Sequence, residues 1–318
     1  MVLSFSGCDV LDKILDMNFG ETEAPTDPII ETPEIIEPVD PNWPVSAFGT
    51  EIEEKPEKVA VASPALAEYI FDMGLMEKVC AVSDYCGFSG ASSYISIGSV
   101  RIPDMDAIKE IAPEYILTFA KFEESILIEL QQMNITVINI EAPENLDELR
   151  ALYKEIAFFF NGAIDGISIG EAYVEKYNSE LSALAYFGEQ KSAAFIRGLD
   201  YMMITGGTME QELLSAAGII NVAESYSGYT FPEENWKEFD PHAIFLNSNL
   251  HLIDLETSDL YKKKSAVKGD KVYNIDIDVL ALGSMRSFAI LKDVLATLYE
   301  DYTGGTVLGP AYPSMYQK

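Results

Sequence analysis

Two segments of this chain share one pattern: AIKEIAPEYIL at 107–117 and NWKEFDPHAIF at 235–245. In each, an amphipathic stretch carries a Lys-Glu pair (Lys109-Glu110, Lys237-Glu238), meets a proline (Pro113, Pro241) and gives way to a short apolar run. Proline cannot continue a helix, and it pushes the residue before it out of helical geometry. The run that follows has the length and composition of a buried strand. One helix–stop–strand unit in each half predicts two similar α/β lobes, and clefts between lobes are where small ligands bind.

The rest of the chain fits that frame. In the first half, strands are expected at 59–63, 79–83, 115–119 and 136–140, with helices at 65–73 and 125–133. Pro64 opens the first helix and Gly74 stops it. A loop rich in Tyr, Gly and Ser spans 84–98. Residues 145–187 are helical in pattern except at Asn161-Gly162 and Gly166, which predicts a lobe-closing helix (145–160) and a long crossing helix (168–187). The second half repeats the order: strands at 192–198, 200–205, 243–246 and 271–275, helices after Thr208, near 256–264 and at 284–301. The fold class is therefore α/β, two lobes with mainly parallel sheets joined by one long helix and a ligand cleft between them. The expected divisions are 1–18 (a truncated signal region), 19–57 (a spacer), 58–165 and 190–302 (the lobes), 166–189 (the linking helix) and 303–318 (a tail).

Residues 19–57 hold seven prolines among Glu, Asp and Thr, from Pro25 to Pro56. Such a segment buries too little apolar surface to offset its ordering entropy, and its prolines favour an extended spacer. Cys8 lies before it in LSFSGC, where small residues preceding a cysteine match a bacterial lipidation signal, with Phe5 where that pattern prefers leucine. The net charge of −31 excludes nucleic acid as a partner, because phosphate binding needs a basic surface. Cys80 and Cys86 allow either a short-loop disulfide or buried thiols.

Two patterns that suggest catalysis do not carry it. GISIG at 166–170 has the G-x-S-x-G spacing, but a nucleophile elbow needs a strand before its serine and helix pattern precedes this one. His242 and His251 sit in or beside one strand without a cluster of other ligands, so no metal site is assigned and both are read as structural. Ligands of open α/β sheets bind outside the carboxyl ends of the strands. That rule selects Tyr85, Phe88, Arg101, Phe119, Tyr201, Tyr226, Tyr229, Trp236 and Asn247, with Arg197 and Arg286 as further guanidiniums able to grip a ligand oxygen.

SPALAEYIFDMGLMEKVCAVSDYC, IGSVRIPDMDAIKEIAPEYIL, EFDPHAIFL and AVKGDKVYNID, in that order, resemble the substrate-binding proteins that serve ABC importers for cobalamin and ferric siderophores. The resemblance runs from about Lys58 to Tyr302. It implies a monomeric, extracytoplasmic receptor that does no covalent chemistry and needs no cofactor, its ligand itself carrying iron or cobalt. It implies a lipid anchor to the cell membrane at Cys8, a cleft-facing loop around Arg101, and docking to the importer permease through one acidic residue per lobe. Asp106 suits the first lobe, and Glu210 or Glu212 the second. A corrinoid or ferric siderophore is the expected cargo, with haem or another solute as the alternative. A surface adhesion or scaffold protein that kept the fold is the reading from another class.

Overall fold

The structure, a computed structural model, describes residues 40–199 and 202–311. It opens with an antiparallel hairpin, β1 (Val45–Ala47) and β2 (Thr50–Ile52). Phe48 and Gly49 turn it with positive φ angles of 52° and 70°, the sense that matches strand twist. Trp43, Val45, Ala47 and Ile52 are buried in the main core. This hairpin lies inside the expected 19–57 spacer, because a brief apolar alternation behind the prolines finds a surface to cover. The stretch before residue 40, Cys8 included, lies outside the described residues.

The first lobe follows as β3 (Val59–Val61), α1 (Pro64–Asp72), β4 (Val79–Val82), β5 (Ile95–Ser96), α2 (Met105–Ile111), β6 (Tyr115–Thr118), α3 (Glu124–Gln132) and β7 (Thr136–Asn139). Its sheet has the order β5-β4-β3-β6-β7, parallel throughout. Alternate residues feed opposite cores: Val59 and Val61 join the main core, Ala60 and Ala62 an outer one with Ile108 and Leu130. Burial on both faces is why these strands read as continuous apolar runs.

The long element α4 (Leu146–Ser182) is two helical arms with a single non-helical residue between them, Gly162 at φ 78° and ψ −167°. The arms lie antiparallel. Tyr153 packs on Tyr173 and Tyr177 at ring distances of 4.7 and 5.5 Å, and Arg150 Nε donates to Asn178 Oδ1 at 2.8 Å. GISIG sits inside the second arm, so the crossing helix starts earlier than expected. Its glycines serve close packing: a Cβ on Gly166 would lie 2.6 Å from Phe158 Cα, and one on Gly170 would lie 3.0 Å from Lys154 Cα.

The second lobe contains β8 (Ser192–Gly198), β9 (Met202–Met203), α5 (Met209–Ala216), β10 (Ile220–Asn221), α6 (Glu233–Trp236), β11 (Ala243–Asn247), α7 (Leu252–Thr257), α8 (Ser265–Lys268), β12 (Val272–Ile275), α9 (Ile277–Leu280) and α10 (Met285–Leu298). Its parallel strands run β10-β8-β11-β12, with β9 antiparallel on β8. The order repeats that of β4-β3-β6-β7, and the repeated phrase occupies the same place in both. Behind each proline the next residue donates its amide to the residue at the start of the lobe's first strand: Glu114 to Lys58 O and His242 to Ser192 O, both at 2.9 Å.

The helix expected near 256–264 is instead two short ones, α7 and α8. Ser258 is extended, and the Lys264 ammonium is drawn inward onto the carbonyls of Trp236 and Phe239. The tail runs over the second lobe as far as it is described, Ala311 donating to Val272 O at 2.7 Å. One core continues from β1 through α4 to α10, so the lobes share an interior.

Candidate ligand cleft

In a sheet wound both ways from one strand, a crevice opens where successive connections leave in opposite directions. In the first lobe that point is between β3 and β6. There Ser63 Oγ accepts the Phe119 amide at 2.8 Å and lies 3.3 Å from Thr118 Oγ1. In the second lobe it is between β8 and β11, whose carboxyl ends carry Arg197 and Asn247. The lobes touch where the loop after β4 reaches the first turn of α10: a Cβ on Gly87 would collide with the Arg286 guanidinium.

Arg197 is held tightly. Its Nη1 donates to Glu210 Oε1, its Nη2 to Asp278 Oδ1 at 3.1 Å, and its guanidinium lies 4.8 Å from the Tyr229 ring centre. Tyr229 donates to Glu210 Oε2 at 3.2 Å, and its own φ is 58°. A bulky residue in that region is strained, and the contacts to Glu210 and Arg197 hold it there. Burial and the Glu210 carboxylate push the Tyr229 hydroxyl pKa up. Asn247 Nδ2 donates to Asp278 Oδ2 at 3.3 Å, while its Oδ1 accepts the Ile277 amide at 3.1 Å.

A seam joins the lobes beside this network. Glu68 of α1, 2% exposed, accepts from Ser284 Oγ and from Arg286 Nη1, the latter at 2.7 Å. Tyr69 donates to Leu282 O and Tyr177 to Gly283 O, each at 2.6 Å. Asp72 Oδ2 accepts the Met285 amide at 2.9 Å, and burial raises its pKa to about 6. The folded protein thus keeps the Asp72 proton where an unfolded chain, with an ordinary value of 3.8, has lost it. Stability contributed this way is complete below pH about 4, is lost as pH rises to about 6, and stays lost above it. Asp72→Asn keeps an acceptor for Met285, so it is expected to raise stability at pH 8 by about 1 kcal/mol after allowance for solvent screening, and to change it little at pH 4. Denaturant melts at the two pH values check this, and an equal effect at both would contradict it.

Tyr85 (φ 66°, 92% exposed) and Arg101 are exposed on loops of the first lobe, and Phe119 is half-buried after β6. Phe88 and Trp236 are corrections: both are buried, Phe88 stacked on Phe71 and Trp236 against Phe231 and Tyr261, so neither is a cleft wall. Tyr226 is half-buried, receiving Asn235 Nδ2 at 2.6 Å. Tyr201 lies outside the described residues. Cys80 and Cys86 are unbonded thiols, each donating to a backbone carbonyl, and burial lifts Cys86 to about 11. His251 precedes α7 and donates its amide to Asp254 Oδ2 at 2.9 Å, and His242 lies 3.5 Å from Lys271 Nζ.

Of the acidic surface residues expected, Asp106 is exposed in the first turn of α2. Glu210 is a further correction: it is 0% exposed, its carboxylate spent on Arg197 and Tyr229. Glu212 is half-buried and caps α4 by accepting the Leu146 amide at 2.8 Å. The second copy of the repeat begins at 235 against 107, and the residue before each copy is Asp106 in one and Glu234 in the other, both exposed. Glu68 and Asp72 also left a trace, as two carboxylates one turn apart on a helix whose other residues are mostly apolar.

A large cavity, about 1210 Å³, lies within the first lobe, lined by Phe48, Phe119, Lys121, Glu141, Glu148 and Glu155 among others, all before residue 156. It does not reach the second lobe.

Two lobes of matching topology, each with a switch point at its strand ends, have the architecture of proteins that bind a small molecule between their halves. The chain belongs to the Periplasmic binding protein family, whose model matches residues 59–279; it is a binding protein, not an enzyme. The Fe(3+)-citrate-binding protein YfmC of Bacillus subtilis is 22% identical over 265 residues, covering 79% of this chain and 83% of that one. The fold is similar to that of the periplasmic haem-binding protein RhuT from Roseiflexus sp. RS-1, with a TM-score of 0.62 at 17% identity over 78% of this chain and all of that one. It is also similar to the vitamin B12 binding protein BtuF of Vibrio cholerae, with a TM-score of 0.54 at 17% identity over 76% of this chain and 96% of that one.

Proposed function

We propose that this protein is the extracytoplasmic receptor of an ABC importer, tethered to the membrane by a lipid on Cys8. Its cargo is a large chelate carrying iron or cobalt: a corrinoid or a ferric siderophore, with haem third. The observation that carries this reading is the matching strand order of the two lobes, each with a switch point at the carboxyl ends of its parallel strands. On this reading Arg197, Tyr229 and Asn247 of the second lobe and Tyr85, Arg101 and Phe119 of the first supply aromatic, amide and guanidinium groups to the ligand. The names of the similar proteins, for ferric citrate, haem and vitamin B12, support the same class.

Calorimetric titration of the folded protein with cobalamin, a ferric trihydroxamate, a ferric catecholate, ferric citrate and haem tests it. One-to-one saturation by one of them is expected, and no heat from any of them overturns the reading. Docking is assigned to Asp106 and Glu234, which the repeat puts at equivalent positions on the two lobes. Reversing both charges (Asp106→Arg, Glu234→Arg) is expected to cut chelate uptake by cells about tenfold or more, since like charges facing each other across an interface repel. Unchanged uptake would remove these two residues from docking.

A further inference from the structure

The two carboxylates on Arg197 are committed to it unequally. Glu210 is fully buried and shared with the Tyr229 hydroxyl, so it cannot leave without stranding a charge in the interior. The Asp278 side chain is 69% exposed, and its two contacts, to Arg197 Nη2 at 3.1 Å and Asn247 Nδ2 at 3.3 Å, are both at the crevice edge. An exposed ion pair of this kind exchanges readily.

Asp278 thus fills the place that a ligand carboxylate would take on the second edge of Arg197. Of the other guanidiniums, Arg286 is bound to Glu68, Arg150 to Asp147 and Asn178, and Arg101 is exposed on a loop of the first lobe. An anionic chelate binding Arg197 must displace Asp278 and then remain beside it, and beside Glu210, with Arg197 shared among the three negative groups.

On the reading of this crevice as the ligand site, we propose that Asp278 determines specificity. It acts as a resident stand-in for a ligand anion, screening Arg197 against polyanionic chelates and leaving the crevice to chelates with an uncharged or cationic polar edge. A ferric trihydroxamate, whose metal centre carries no net charge, belongs to the accepted class. Ferric citrate, edged with free carboxylates, belongs to the rejected one.

The test is the ratio of affinities for ferric citrate and a ferric trihydroxamate, measured by calorimetry on the wild type, Asp278→Asn, Asp278→Ser and Glu256→Gln. Glu256 is an exposed carboxylate on α7 and controls for net charge alone. Both Asp278 variants are expected to move the ratio toward ferric citrate by about tenfold, and the gained citrate binding to weaken with added salt. Glu256→Gln is expected to leave the ratio where it was. A ratio that does not move in the Asp278 variants, citrate binding undetectable in all four proteins, or a wild type that prefers ferric citrate would overturn the proposal. Failure of the folded wild type to bind any chelate would sink the receptor reading itself, whereas binding with an unmoved ratio sinks only the role of Asp278.

Discussion

Gly162→Ala is expected to lower stability by about 3 kcal/mol and the melting temperature by roughly ten degrees. The backbone there, φ 78° and ψ −167°, belongs to a region that only glycine enters without strain. Space is lacking as well: a Cβ would lie 2.5 Å from Asn42 Cβ and 2.6 Å from Asn42 O. Asn42 cannot step aside cheaply, because it caps the second arm of α4. Its carbonyl accepts the Ala163 amide at 2.9 Å, and its Oδ1 accepts those of Ile164 and Asp165 at 3.0 and 3.1 Å. Relieving the clash would open that cap and loosen the antiparallel arms on which the shared core is built. Gly309→Ala, with nothing near its Cβ, is the control and is expected to stay within about 0.5 kcal/mol of wild type. Thermal melts followed by circular dichroism decide the matter, and a Gly162→Ala protein as stable as its control would refute this account of the turn.

Removing the Glu68 carboxylate is expected to be nearly as costly. Glu68→Ala leaves the fully buried Ser284 hydroxyl without its acceptor and Arg286 without its counter-charge. Breaking a buried pair from one side costs about 3–5 kcal/mol, and because Arg286 can partly rehydrate, about 2–3 kcal/mol is expected here. Glu68→Gln, which retains hydrogen bonding, is expected to lose about 1 kcal/mol. Because the contacts cross between lobes, Glu68→Ala should also broaden the distribution of interlobe distances in solution, read by spin labels on the two lobes. Full stability with an unchanged distribution would mean that Glu68 holds nothing together.

Much of this architecture is legible in the sequence. The strands around Val59, Val79, Tyr115, Ser192 and Ala243 are apolar on both faces, so length and flanking Pro or Gly suffice to mark them within a residue or two. Arg197 and Asn247 are legible for the same reason, as residues at the ends of strands whose order the repeat implies. Their partners are not. Glu210 and Asp278 stand 13 and 81 residues from Arg197, and nothing local announces a pairing that only the folded sheet creates. The hairpin at Val45 and Thr50 escapes notice because three-residue strands carry little periodicity and proline-rich composition surrounds them. The split at Ser258 escapes because the inward pull on Lys264 comes from carbonyls 25 and 28 residues away.

Glu68, Tyr69, Asp72 and Tyr177 together fasten successive residues from Leu282 to Arg286, and a seam of that kind leaves the lobes little freedom to swing. Under the proposed function, an importer that reads its receptor by outline receives a faint message about whether cargo is aboard. Empty and loaded copies would then contend for the same berth on nearly equal terms. Uptake would follow the fraction of receptors that are filled rather than their number, and a cell that made more of this protein without more cargo would slow its own import.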